Sequence, residues 1–404
     1  MKKNNCSSET VKKMQFISEQ CIGRTSDDGK DICKLCMKQC KMLNEFTSAP
    51  KELFDRFLEA DHIDPIIPYS CNMCSDCTLV CPKDLDLKEA FLHMRKDIVE
   101  ENKGKSPLKG HKGIEMHQTL SFAKMFNTTK ESKVNKRPKE EKQVKRVFMP
   151  GCSLPSYKPE LVESILVHLQ DKLSGMSSVL KCCGKPTYLL GQEELFHERY
   201  GSLQAEFDEI EADEVIVACQ NCYNMVGEYS PNQRVVSLWS LLPEIGLPEG
   251  ALGVGKESDL TFAIHDSCPT RSVPEIHTGV RWIMDQLGYE VEELEKSKEN
   301  TTCCGMGGMV GAANFPLAQQ VMTERASQAS SQHMVVYCAS CRDAMLIGGK
   351  KALHLWDLVF GETYTSSSSF DIKPHRPFTN WKNRYKSKKC IEKTYEGAPG
   401  GHSK

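Results

Sequence analysis

VFMPGC (147–152), KCCGKP (181–186) and VIVACQNC (215–222) spell out one cysteine pattern. The chain repeats it as TFAIHDSC (261–268), TTCCGMGG (301–308) and HMVVYCASC (333–341). Each copy runs as a single Cys, then Cys-Cys-Gly, then Cys-x-x-Cys. The first comprises Cys152, Cys182, Cys183, Cys219 and Cys222, the second Cys268, Cys303, Cys304, Cys338 and Cys341. Five thiols are one more than a tetrahedral zinc or an ordinary cubane cluster needs. Two copies therefore imply two larger metal assemblies.

Around these cysteines the texture is α/β. VKRVFMPGC (144–152) reads as a strand ending at Cys152, and KPELVESILVHLQDKL (158–173) as a helix with Leu161, Ile165, Leu169 and Leu173 on one side. DEVIVAC (213–219) is a second strand. LTFAIHDSC (260–268), PEIHTGVRWIMDQLG (274–288) and HMVVYC (333–338) repeat the sequence of elements, and VVSLWSLL (235–242) matches ALHLWDLVF (352–360). The period is about 115 to 120 residues, one α/β domain per repeat. Cys152, Cys219, Cys268 and Cys338 then fall at the C-terminal ends of strands. There open α/β folds collect their sites, and helix N-termini present N–H groups to an anion. Gly184, Gly305, Gly307 and Gly308 are expected to let the backbone approach bulky inorganic sulfur.

The first hundred residues carry nine cysteines. Cys71-x2-Cys74-x2-Cys77-x3-Cys81-Pro82 is the run of bacterial ferredoxins, in which the fourth thiol serves the other cluster. Zinc ribbons do not need so tight a quartet. Its partner run, Cys33-x2-Cys36-x3-Cys40, has Lys30 where a first cysteine belongs, and Cys21 is the nearest candidate beyond an inserted polar loop. On that reading Cys21, Cys33, Cys36 and Cys81 hold one cubane 4Fe-4S cluster, and Cys40, Cys71, Cys74 and Cys77 the other. If Cys21 does not reach, the first cluster has three thiols. Cys6 and Cys390 fit no constellation and read as incidental surface thiols. LKEAFLHMRKDIV (87–99) puts Leu87, Phe91, Met94 and Ile98 on one helical face.

These segments set the expected layout: a ferredoxin-type dicluster domain over 1–100, a basic linker over 101–143 with a short helix near LSFAKMF (120–126), α/β domains over 144–250 and 258–361, and a Lys-rich, poorly ordered tail over 362–404. The fold class is multidomain, a mainly helical dicluster domain followed by two duplicated α/β cysteine-rich domains. At 404 residues with a formal charge of −2, nothing argues for a nucleic-acid partner. The N-terminus lacks a signal-peptide pattern and no stretch suits a membrane span, so a cytoplasmic protein is expected, with membrane association only through a partner subunit. Twenty cysteines in such a chain read as reduced metal ligands rather than as a disulfide framework.

This combination of motifs resembles the D-type iron–sulfur subunit of heterodisulfide reductase, and is similar to the iron–sulfur subunits of anaerobic glycerol-3-phosphate dehydrogenase and glycolate oxidase. The resemblance covers about residues 20–100 and 145–360. It implies that each five-cysteine set binds a noncubane 4Fe-4S cluster, up to two in all beside the two cubanes. It also implies that a disulfide held between them is split by one electron to each sulfur, with the ferredoxin domain as the wire. No G-x-G-x-x-G after a strand and no G-x-x-x-x-G-K-[ST] loop is present, so no flavin or nucleotide is expected in this chain. Electrons must then pass to or from another subunit: a flavoprotein, a ferredoxin, or a membrane cytochrome or quinone-reactive subunit. A disulfide or thiol is the expected substrate. The competing reading is an electron-transfer subunit between a flavin-dependent dehydrogenase and a quinone, and the third a zinc-stabilised interaction protein. His265 and Asp266, just before Cys268, read as support or proton source for the second set, or as plain loop structure.

Overall fold

The structure is a computed structural model describing residues 6–23, 33–133 and 144–396. The polar loop expected between Cys21 and Cys33, Lys30 included, lies almost wholly outside the described residues.

The chain divides into two compact units, and neither is continuous in sequence. The first comprises Met1–Gln118, Pro186–Phe196 and Thr302–Arg325. Its described N-terminal part includes the helices Ser8–Gln20, Leu35–Gln39, Lys41–Phe46, Pro50–Glu59 and Leu87–Glu101. Leu87–Glu101 is capped by Asp86, whose carboxylate accepts the Glu89 N–H, and it buries Leu87, Phe91, Met94 and Ile98, the face expected from their spacing. Pro186–Phe196 and Thr302–Arg325 were expected inside the two α/β domains. They join the first unit through close backbone packing: a Cβ on Gly191 would lie 2.6 Å from the Arg95 carbonyl, and one on Gly308 2.1 Å from that of Cys71. Tyr69, Ile98 and Leu190 form an apolar cluster there, with the Tyr69 hydroxyl donating to the Leu190 carbonyl at 2.7 Å.

The second unit holds both sheets. In the first repeat β1 (Thr128–Lys130), β2 (Arg146–Met149), β3 (Met176–Leu180), β4 (Glu214–Val217) and β5 (Arg234–Ser237) assemble in the order β1-β3-β2-β4-β5. Only β1 runs antiparallel. In the second repeat β6 (Thr261–His265), β7 (Glu290–Glu293), β8 (His333–Val336) and β9 (Lys351–His354) form a parallel sheet in the order β7-β6-β8-β9. Matching strands occupy matching places, so the duplication read from the cysteines is a duplication of fold. In each repeat the chain steps to one side of its first strand and then returns to the other. The resulting switch point lies between β2 and β4, or β6 and β8, where a ligand crevice forms. Val147, Phe148, Val215 and Ile216 are fully buried, as strands covered on both faces require.

The repeats share one core. Trp239 and Trp356, equivalent residues of VVSLWSLL and ALHLWDLVF, meet with ring centroids 4.7 Å apart. Gly279 allows the helix Pro274–Leu287 to lie against them, since a Cβ there would meet the Trp239 carbonyl at 1.8 Å.

The flanking segments differ from expectation. Within 101–143 the short helix expected near LSFAKMF is the single 3-10 turn Lys124–Phe126; a longer helix, His111–Ser121, precedes it, and Thr128–Lys130 adds a strand to the first sheet. Within the supposedly unstructured tail, Pro377–Glu396 forms a helix that buries Arg384, Ser387 and Ile391. Asn383 donates to the Ser156 and Tyr157 carbonyls at 3.1 and 2.9 Å, and Ser387 to that of Pro155 at 2.9 Å. Residues 134–143 and 397–404 lie outside the described residues.

Candidate iron–sulfur sites

Strand geometry delivers the first five-cysteine set. Cys152 and Cys182 follow β2 and β3 directly, and Cys219 follows β4 as the N-cap of the helix Gln220–Tyr229, which carries Cys222 in its first turn. The thiols form one continuous chain. The Cys152 and Cys182 sulfurs lie 3.9 Å apart, within hydrogen-bonding reach. Cys183 accepts from both Cys182 and Cys222, which holds its thiol well below the usual range. Cys222 also contacts Cys219, and these sulfur partners, with burial, push the Cys222 thiol far up. Five buried or half-buried sulfurs gathered in one chain are a donor set that suits a metal once their thiols are deprotonated. Gly151 borders the group: a Cβ there would lie 3.1 Å from the Cys222 sulfur.

The second set is divided. Cys268, Cys338 and Cys341 belong to the second unit, Cys303 and Cys304 to the first. Cys338 caps the helix Ala339–Ile347 as Cys219 caps its counterpart. His265 offers a ring nitrogen within 4.8 Å of the Cys341 sulfur. Asp266 is held by loop structure. Arg281 grips its carboxylate at 2.6 and 2.8 Å, Tyr337 donates at 3.0 Å and the Lys298 N–H at 2.7 Å. Burial alone would raise its carboxyl, but these donors hold it below the ordinary carboxylate range.

In the first unit Cys21, Cys33, Cys36, Cys77 and Cys81 line one recess open to solvent. Burial, and then the neighbouring Cys21, Cys81 and Cys33, push the Cys36 thiol up to about 11. Cys21 thus stands in the same group as Cys33, Cys36 and Cys81. A second group gathers Cys40, Cys71, Cys74 and Cys77: burial first, then Cys74 and Cys71, raise Cys40, and burial, Cys40, Cys71 and Cys74 raise Cys77. Four sulfurs share one local device. Gly23, Met73, Gly184 and Gly305 each turn the backbone N–H toward the cysteine two residues earlier, at 3.3 to 3.4 Å. Such donors favour thiolate and stabilise an anionic cluster.

Two features escaped the sequence. The Cys303 N–H donates to the buried Asp76 carboxylate at 3.1 Å, and Cys74 hydrogen-bonds the Cys303 thiol, the largest influence raising Cys74. The second ferredoxin group and the Cys303–Cys304 pair are therefore neighbours. Gly307 and Gly308, expected to make room for inorganic sulfur, instead press on the backbone of Asn72 and Cys71. Arg95 is the second feature. It sits between Phe91 and Ile98 on the buried face, and that placement was the available signal. Cys6, expected at the surface, is buried, and Cys390 is half-buried beside Glu163.

Comparison with known proteins finds the same kinds of domain in this chain. A family model for the 4Fe-4S dicluster domain matches residues 31–86, and one for the cysteine-rich domain matches twice, over 147–227 and 262–345. An uncharacterized iron–sulfur protein of Methanococcus maripaludis is 24% identical over 356 residues, 78% of this chain and 68% of that protein. A subunit of the dihydromethanophenazine:CoB–CoM heterodisulfide reductase of Methanosarcina acetivorans is 22% identical, covering 73% of this chain and 74% of its own length. The EtfAB:quinone oxidoreductase of Syntrophomonas wolfei is 27% identical over 184 residues, 43% of this chain, which spans only 26% of that protein. Among the described residues no helix is long and apolar enough to cross a membrane.

Proposed function

We propose that this chain, which belongs to the iron–sulfur oxidoreductase subunits joining a 4Fe-4S dicluster domain to two cysteine-rich domains, reduces a disulfide of heterodisulfide type with electrons relayed from a partner subunit. The observation that carries this reading is the unbroken chain of five thiols from Cys152 through Cys182, Cys183 and Cys222 to Cys219. A simple relay has no need of a fifth thiol beyond the four of a cubane.

The residues fit the groups the family implies. Cys21, Cys33, Cys36 and Cys81 would hold one cubane cluster, and Cys40, Cys71, Cys74 and Cys77 another. The two five-cysteine sets would hold the noncubane clusters. When bound, these clusters supply one-electron transfer. The chain contributes cysteine sulfur, N–H donors aimed at it, and burial of the Cys182–Cys183 and Cys303–Cys304 pairs. The balance of the reaction is fixed by sulfur chemistry. One S–S bond breaks, two electrons and two protons are consumed, and two thiols leave, the electrons coming from a reduced flavoprotein, ferredoxin or quinone-reactive partner. Two five-thiol sets match a two-electron substrate served one electron at a time.

Anaerobic EPR of the oxidised holoprotein, with iron and sulfide counted and thiols and disulfides titrated in, tests the reading. A thiol-dependent paramagnetic signal that disappears in Cys303→Ala or Cys304→Ala is the expected result. Fully loaded protein indifferent to every thiol and disulfide would overturn it. That outcome would favour an electron-transfer subunit serving a flavin-dependent dehydrogenase and a quinone. The stretch shared with a quinone oxidoreductase supports this second reading.

A further inference from the structure

Arg95 is a fully buried cation with no anionic partner among the described side chains. Its Nε and Nη2 donate to the Pro68 carbonyl at 3.0 and 2.8 Å, and Nη2 also to the Cys71 carbonyl at 2.8 Å. Nη1 donates to the carbonyls of Leu189 at 2.7 Å and Gly308 at 2.9 Å, and the guanidinium lies 4.8 Å from the centre of the Tyr69 ring. Every one of these acceptors is neutral. A guanidinium taken out of water costs several kcal/mol unless an anion answers it, and carbonyl dipoles answer it only in part.

The anion the site lacks is the one its cysteines would supply. Cys71, whose carbonyl Arg95 holds, is one of the four thiols of the second ferredoxin group. Four thiolates around a 4Fe-4S core leave a net negative charge, and reduction adds one more. A buried cation therefore favours the reduced state, with little screening by solvent. The other charges acting on this group are Asp86 and Lys88 at Cys71 and Asp76 at Cys74, none of them a buried cation. Asp86 and Lys88 face each other 3.9 Å apart, both partly exposed. Asp76, beside Cys74, is engaged by the Cys303 N–H. At the first group the lysine lining the recess, Lys83, is exposed to water.

We propose that Arg95 is a positioning residue for electron transfer. It raises the reduction potential of the cluster held by Cys40, Cys71, Cys74 and Cys77 above that of the cluster held by Cys21, Cys33, Cys36 and Cys81. Electrons then collect at the cluster whose Cys74 touches Cys303, and enter the five-cysteine chemistry through the second set. This rests on the reading of those eight cysteines as ligands of two cubanes.

The test is a potentiometric EPR titration of anaerobically purified holoprotein, with iron and sulfide counted first. Arg95→Gln and Arg95→Lys are compared with wild type, and Cys74→Ser assigns the signals. In Arg95→Gln the assigned couple moves to lower potential by at least a decade in its reduction equilibrium, 59 mV for one electron, while the other couple stays in place. Arg95→Lys, which keeps the charge but not the fork, stays within half a decade of wild type. An unmoved couple in iron-complete Arg95→Gln overturns the proposal, as does an Arg95→Lys shift as large as that of Arg95→Gln. Should Arg95→Gln fail to assemble, Arg95→Lys decides alone by the same half-decade criterion. Loss of this one cluster from both variants leaves Arg95 as a structural clasp and overturns the charge role. Wild-type protein without two cubanes would instead overturn the ligand reading beneath it.

Discussion

His354 is buried where it cannot carry charge. It caps the helix Leu355–Phe360, its Nδ1 accepting the Trp356 N–H at 3.3 Å while Asp357 accepts its own N–H at 3.0 Å. Burial pushes its imidazole down to about 4, Asp357 pulling the other way and Arg342 and Lys158 adding to the depression. The unfolded chain titrates this group near 6.5. Above that pH both states are neutral and the residue adds no pH dependence. As pH falls from about 6.5 toward 4 the unfolded state takes up a proton that the folded state refuses, and about 3 kcal/mol of stability is lost. His354→Asn keeps a cap acceptor and does not titrate, so its unfolding free energy should fall less steeply across that window. Equal pH slopes for the two proteins in urea unfolding would refute the assignment. At this scale the cysteines were legible because metal chemistry fixes residue type and spacing together. Arg95 and Asp76 were not, because each acts on partners brought close only by folding: Leu189 and Gly308 for Arg95, Cys303 for Asp76.

Elements were legible where their buried faces are apolar. The helices Pro159–Lys172 and Pro274–Leu287 and the strands β2, β4, β6 and β8 follow the hydrophobic pattern. β3 is less visible because its MSSVL sequence buries Ser177 and Ser178, and β7 because EVEE is a largely exposed edge strand. The segments taken as linker and tail failed for a related reason. His111–Ser121 buries His111, Gln118 and Ser121, and Pro377–Glu396 buries Arg384 and Ser387, so polar contacts replace an apolar stripe. Arg384 donates to the Ser121 hydroxyl and carbonyl at 3.1 and 3.0 Å and to the Asn127 side chain at 3.2 Å. Removing it orphans these acceptors and loosens the helix that holds Ser153–Tyr157, the segment immediately after Cys152. Arg384→Ala should cost on the order of 3 kcal/mol in urea unfolding and speed iron loss to a chelator. Wild-type stability and iron retention in that variant would show that the C-terminal helix merely rests on the surface.

Across the whole molecule the repeat is exact in strand order but unequal in use. The duplication was legible because both copies keep the same cysteines at the same strand ends. The assignment of Pro186–Phe196 and Thr302–Arg325 to the first unit was not, since it depends on glycine-mediated backbone contacts that leave no hydrophobic period. One consequence is an asymmetry between the five-cysteine sets. All five members of the first lie in the second unit, whereas Cys303 and Cys304 of the second share a unit with the ferredoxin-type cysteines. Asp76 is the residue through which this asymmetry can be read, because it accepts the Cys303 N–H and sits beside Cys74. Asp76→Ala leaves that buried N–H without its acceptor, a local penalty of about 1–3 kcal/mol, and takes a negative charge from the second ferredoxin group. Spectral changes should therefore appear together at the cluster of Cys40, Cys71, Cys74 and Cys77 and at the set containing Cys303. The set built on Cys152, Cys182, Cys183, Cys219 and Cys222 should stay as in wild type. Mössbauer spectra of iron-57-enriched protein, with the set containing Cys182 identified by Cys182→Ala, separate the contributions. Equal disturbance of both five-cysteine sets would mean that the ferredoxin domain addresses them alike, and that electron entry through Cys303 has no structural basis.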